Sequence, residues 1–199
     1  MKRRSFLKKS AVAATLDVRG VDLVSSMLQA HQNDTTWLRE FRSKAMAHNT
    51  KFVCLMADTA YKIGDLNPES RRKSITEHKQ WIDTACELAC EHLRVNPFST
   101  GSYLQQLNHC TESLEELGEY AKQQELHLTI ENHDHPSSNG AWTNMLLENI
   151  KHRNVGLFLD FGNFTMGGFS VRPIQDTHIL SRLKHGCPES CITGNRSRG

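Results

Sequence analysis

Five short apolar runs, each bounded by polar turn residues and separated by longer stretches of helical periodicity, constrain this chain more than any other feature. The runs are Gly20 to Val24, Lys51 to Met56, Leu93 to Asn96, Leu126 to Glu131 and Val155 to Asp160. The amphipathic stretches between them carry apolar residues at spacings of three and four. Thr35 to His48 holds Trp37, Leu38, Phe41 and Ala45. A second stripe is Ile75, His78, Ile82, Ala85, Leu88 and Ala89, begun by the basic run Arg71 to Lys73. A third, Leu114, Leu117, Tyr120 and Ala121, has Thr111 as its expected N-cap, and Met145, Leu146 and Ile150 mark a fourth. Strand and helix alternating in this way predict successive βα units on a parallel sheet, an α/β fold.

Successive side chains of a strand point to opposite faces. Leu126, Leu128 and Ile130 therefore oppose His127, Thr129 and Glu131; Leu93 and Val95 oppose Arg94 and Asn96; Val155, Leu157 and Leu159 oppose Gly156, Phe158 and Asp160. Each strand has an aliphatic face for helices and a second face whose last residue is polar. A doubly wound sheet, buried on both faces, tends to continuous apolar runs. Polar residues gathered at the C-terminal strand ends around a common centre look more like a barrel, whose loops at that end build the site.

The 199 residues allow one domain of ordinary size. A net charge of +2 gives no concentrated basic surface, so neither nucleic acid nor an anionic membrane is expected as a partner. No stretch approaches the roughly 18 apolar residues needed to span a bilayer. The six cysteines form no Cys-x-x-Cys, and Cys86 and Cys90 read as small core residues on one helix. Residues 1–17 resemble a twin-arginine export leader through Arg3, Arg4, Phe6, Leu7 and Lys8, with an apolar run that Asp17 and Arg19 cut short. A working leader implies a periplasmic location, and otherwise the chain is cytoplasmic. Residues 18–167 form the expected domain, and 168–199 read as an irregular tail.

Two stretches carry chemistry. Thr129-Ile130-Glu131-Asn132-His133-Asp134-His135 is a strand running into a polar loop; Gly156 to Phe164 is a strand ending in Asp160, with Asn163 three residues later. On residue type alone, Glu131 and Asp160 are either oxygen donors to a divalent ion from adjacent strand ends or caps of the helices that follow. His133 is either a substrate or proton-transfer residue or a solvated loop side chain, and His135 a solvated one.

Taken in order, Gly20-Val21-Asp22-Leu23, Leu93-Arg94-Val95-Asn96, Ile130-Glu131-Asn132-His133 and Val155 to Asn163 resemble strands two, four, five and six of the xylose isomerase-like TIM barrels, with Lys51 to Met56 as strand three. That superfamily comprises sugar phosphate isomerases and epimerases and includes endonuclease IV-type enzymes. The resemblance implies a divalent ion (Mn, Mg, Co or Zn) held in part by Glu131 and Asp160. It also implies a sugar or polyol substrate touched by Arg94, Asn96 and Asn163, and Glu131 and His133 as the acid/base candidates. Asn163 stands where sugar epimerases often carry a His. Asp22 is a weaker candidate of the same kind. The implied reaction is proton transfer alpha to a carbonyl through an ene-diolate.

The family's strand one and strands seven and eight, with a further His and Glu ligand, find no counterpart in the sequence. Neither His178 nor His185 ends a strand-like run. The expectation is therefore an incomplete (β/α)8 barrel of about five βα units, with an incomplete metal site and exposed sheet edges that favour self-association. Two other functions compete with the isomerase reading. One is a non-catalytic remnant or small-ligand binding module; the other is an endonuclease IV-like phosphodiesterase.

Overall fold

The computed structural model describes residues 19–134 and 136–163. The leader at 1–17, the tail at 168–199, His135, His178 and His185 lie outside the described residues. Strands β1 Gly20–Val24, β2 Lys51–Ala57, β3 His92–Val95, β4 His127–Glu131 and β5 Val155–Phe158 form one five-stranded sheet in the order β1-β2-β3-β4-β5, every neighbour parallel. The helices between consecutive strands are α1 Thr35–Met46, α2 Pro68–Glu87, α3 Tyr103–Gln123 and α4 Gly140–Asn149. A strand order that never reverses, joined by crossovers of one hand, keeps all helices on one face; a doubly wound sheet needs a reversal. These are consecutive βα units of a TIM barrel, as the alternation predicts.

The register sorts the side chains into two faces. Leu55, Leu93, Leu128 and Val155 align across β2 to β5, and Ala57, Val95, Ile130 and Leu157 form the next row. Leu55, Leu93 and Leu128 are wholly buried under Ile82, Leu114 and Leu117 of the helix layer, each contributing about 1.5–3 kcal/mol. On the opposite face Met56, Arg94, Thr129 and Gly156 share one row, and Glu131 pairs with Phe158. The apolar and polar faces are thus those the alternation predicts.

Polar side chains start the helices. Asn67 Oδ1 accepts from the N–H groups of Glu69 and Ser70, ahead of Pro68. Helix α2 therefore begins before the basic run, and Arg71 to Lys73 lie inside it. Ser102 and Gln105 close a reciprocal capping box on α3. That box corrects the expected start at Thr111, which lies within α3 and donates to Leu107 O at 2.8 Å.

Helix α2 closes at Leu88, so Cys90 lies beyond it, buried beside the sheet, while Cys86 stays on the helix; both are free thiols. Ala89, expected on the apolar stripe, is exposed with φ 52°. Asn49, Ala89 and Glu125 follow α1, α2 and α3, each left-handed. After each, the next N–H bonds five residues back, to Ala45, Ala85 and Ala121. This is the Schellman closure built without glycine. Left-handed backbone costs an L-residue roughly 1–2 kcal/mol. Ala89→Gly is therefore expected to raise stability by about 1 kcal/mol, read as a higher urea midpoint at unchanged slope; a lower midpoint refutes the strain.

Candidate active site

The C-terminal ends of all five strands meet in one hydrogen-bonded network. Buried Ser25, just after β1, bonds the backbone of Asp58, just after β2: its Oγ accepts from Asp58 N–H at 2.9 Å and donates to Asp58 O at 3.3 Å. Asp58 Oδ1 accepts from Arg94 Nη1 and Asn96 Nδ2, both at 3.4 Å. Arg94 Nη1 also donates to Asn96 Oδ1 at 2.6 Å and pairs with Glu131 Oε2 at 2.9 Å. Asn163 Nδ2 reaches Glu131 Oε1 and His133 Nδ1, both at 3.2 Å. With that amide donating to both, the neutral His133 ring carries its proton on Nε2. Phe98 packs edge-on to the His133 ring at 5.9 Å between centroids.

Of the residues read from the sequence, the structure brings together Arg94, Asn96, Glu131, His133 and Asn163. Arg94 is buried and engaged with Glu131, so its first effect is on that carboxylate. His133 is about half exposed on the loop after β4, 3.5 Å from Glu131 Oε1. Asp160 sits just beyond β5. Asn132, wholly buried, extends the β4–β5 ladder with its side chain: Oδ1 accepts from Asp160 N–H and Nδ2 donates to Asp160 O, both at 2.7 Å. The Asp160 carboxylate accepts from Gly162 N–H at 2.8 Å, the local bond of a capping aspartate. Asp22 lies on β1, accepts from the Cys54 backbone N–H and faces His92, and burial raises its carboxyl above the ordinary value.

Ser25, Asp58, Phe98 and Asn132 were not singled out by the sequence reading. Asp58 was within reach, because it follows an alternating strand just as Asn96 follows Leu93 to Val95. Ser25, Phe98 and Asn132 act through contacts across 28 to 35 positions, which no local pattern displays.

Glu131 and Asp160 suit a hard divalent ion as two of its oxygen donors. Among the described residues, however, no three His, Cys, Asp or Glu side chains converge as a metal site. No helix among them is long and apolar enough to cross a membrane.

A singly wound parallel sheet, helices on one face and a polar network at the C-terminal strand ends define an α/β barrel of the TIM type. The sequence profile described as "Xylose isomerase-like TIM barrel" matches residues 10–185, and the chain belongs to that family. A D-psicose 3-epimerase with D-tagatose from Clostridium cellulolyticum H10 is similar in structure, with TM-score 0.71 and 11% identity, covering 83% of this chain and 61% of its own. A xylose isomerase-like TIM barrel protein from Mycobacterium smegmatis in complex with magnesium gives TM-score 0.68 at 15% identity over 92% of this chain and 64% of its own. The IOLI protein with a binding zinc atom gives 0.69 at 18% identity over 82% and 61%. The chain thus spans about three fifths of the length of these structures. No curated protein matches it significantly in sequence.

Proposed function

We propose that the rim formed by β1 to β5 binds a sugar or related polyol and belongs to a site for isomerisation or epimerisation by proton transfer alpha to a carbonyl. The observation that carries this reading is the continuous network from Ser25 through Asp58, Arg94, Asn96 and Glu131 to His133 and Asn163. Sugars are recognised by arrays of donors and acceptors held in fixed directions, and this rim supplies both.

Glu131 is the acid/base carboxylate in this reading. Arg94 fixes the direction of its Oε2, while Asn163 and the half-exposed His133 flank Oε1, the oxygen left to face a ligand. Asn163 can hold a hydroxyl but cannot shuttle a proton at neutral pH. A divalent ion held in part by Glu131 and Asp160 would polarise the carbonyl and hydroxyl oxygens of the bound sugar. The chain's own part in that chemistry is to orient these carboxylates and bind the hydroxyls. Family membership and epimerases among the similar structures support the substrate class.

Calorimetric titration with Mg²⁺, Mn²⁺, Co²⁺ and Zn²⁺ tests the metal assignment. At least one ion is expected to bind, and Glu131→Gln to weaken it tenfold or more; equal binding by the variant refutes Glu131 as a ligand. We also propose self-association through β1 and β5, each paired on one side only among the described residues. Its expected sign is a solution mass that rises with protein concentration; a constant monomer mass rules it out.

A further inference from the structure

Asp58 is an exposed acid fixed on the rim through its backbone. Ser25 grips both its backbone N–H and its carbonyl, while its side chain stays 51% exposed. Its Oδ1 is taken by Arg94 and Asn96; its Oδ2 has no hydrogen-bond partner among the described residues. Beside it, Arg94 is 7% exposed and directs a single nitrogen, Nη1, at three acceptors, while its Nε is buried without one. A buried donor without an acceptor is uncommon in folded proteins.

An open carboxylate oxygen, fixed in front of a buried guanidinium, suits a group that donates a hydrogen bond. A sugar hydroxyl can donate one. A phosphate dianion can only accept, so at Asp58 Oδ2 it meets a like charge and no donor.

We infer that Asp58 is a substrate-contacting specificity residue that accepts a hydroxyl hydrogen of an uncharged polyol and turns away phosphate esters at the β2–β3 side of the rim. The inference rests on the polyol reading of the site.

The test is equilibrium binding of D-fructose and D-fructose 6-phosphate to the full chain, compared among the parent, Asp58→Asn, Asp58→Ser and Glu131→Gln. The parent is expected to prefer the free sugar at least tenfold, and both Asp58 variants to reduce that preference below threefold. Thermal melting identifies which variants are folded, and Asp58→Ser serves if the amide disturbs Arg94. A parent that prefers the phosphate ester, or folded Asp58 variants that keep the parent's preference, overturns the inference. If Glu131→Gln weakens fructose binding while the Asp58 variants do not alter selectivity, only the inference falls. If the parent binds neither probe, the polyol reading itself falls and takes the inference with it.

Discussion

Glu131→Ala is expected to destabilise the fold by roughly 3–5 kcal/mol, because it strands the guanidinium of Arg94 inside the protein. The two side chains are 8% and 9% exposed and lie 2.9 Å apart. Their attraction offsets a desolvation penalty of several kcal/mol per ion, and removing either partner leaves that penalty in place. Asp58 and Asn96 remain near Arg94 but already share its Nη1. Arg94→Met is expected to cost a similar amount by leaving Glu131 unpaired. The double variant Arg94→Met/Glu131→Leu should recover most of the loss, since well-packed apolar groups often replace a buried pair at little cost. Urea unfolding of the four proteins gives the coupling energy. Single-variant losses under about 1 kcal/mol would mean that the pair is solvated, as at an exposed salt bridge. A large coupling with a near-neutral double variant would mean that the pair contributes orientation of Glu131 more than net stability, the expected trade at a functional carboxylate.

The sequence and the structure agree on the strand faces, where a period of two decides the outcome. Leu93, Leu128 and Ile130 against Arg94 and Glu131 fixes both the sheet face and the rim, because a one-residue slip would exchange them all. Helix boundaries followed less well, and for one recurring reason. Asn49, Ala89 and Glu125 close three helices in a left-handed conformation without glycine, the usual signal for that position. On α3, Ser102 with Gln105 outcompetes Thr111, whose hydroxyl is satisfied by a carbonyl one turn back. At the site, the strand pattern puts Arg94, Asn96 and Glu131 at C-terminal strand ends, and the family resemblance singles them out together with His133 and Asn163. Which of them touch was not legible, since the Arg94–Glu131 pair and the Asn132 bridge depend on how adjacent strands register. The strand order itself, which separates one barrel-like winding from a doubly wound sheet, likewise lies in long-range pairing that no single run encodes.

Lowering the pH from about 6.5 to about 4 is expected to cost the fold on the order of 3 kcal/mol through His78 alone. This residue sits on the sheet-facing side of α2, 1% exposed, its Nδ1–H donating to Ser74 O at 2.8 Å. Burial disfavours the imidazolium and lowers its pKa from 6.5 to about 4, an effect the Ser74 carbonyl only partly opposes. In the unfolded chain the same ring takes up a proton near pH 6.5. Between these values the unfolded state binds more protons, so stability is full above the window and falls as the pH drops through it, by about 1.4 kcal/mol per tenfold rise in proton concentration. His92, also lowered by burial and by the facing His127, acts in the same direction. The paired carboxylates Glu87 and Glu116, held low by Arg39 and Lys79, lose their contribution further down. Comparison with His78→Leu removes those shared terms, because the leucine keeps the volume and cannot take a proton. The parent-minus-variant difference in unfolding free energy, measured by urea at steps from pH 7 to pH 4, should fall steadily as the pH drops. A difference that stays flat would mean that His78 meets solvent or a charge that stabilises its protonated form. The position the sequence marked as one polar member of an apolar stripe would then be an open site in the helix layer and not part of its core.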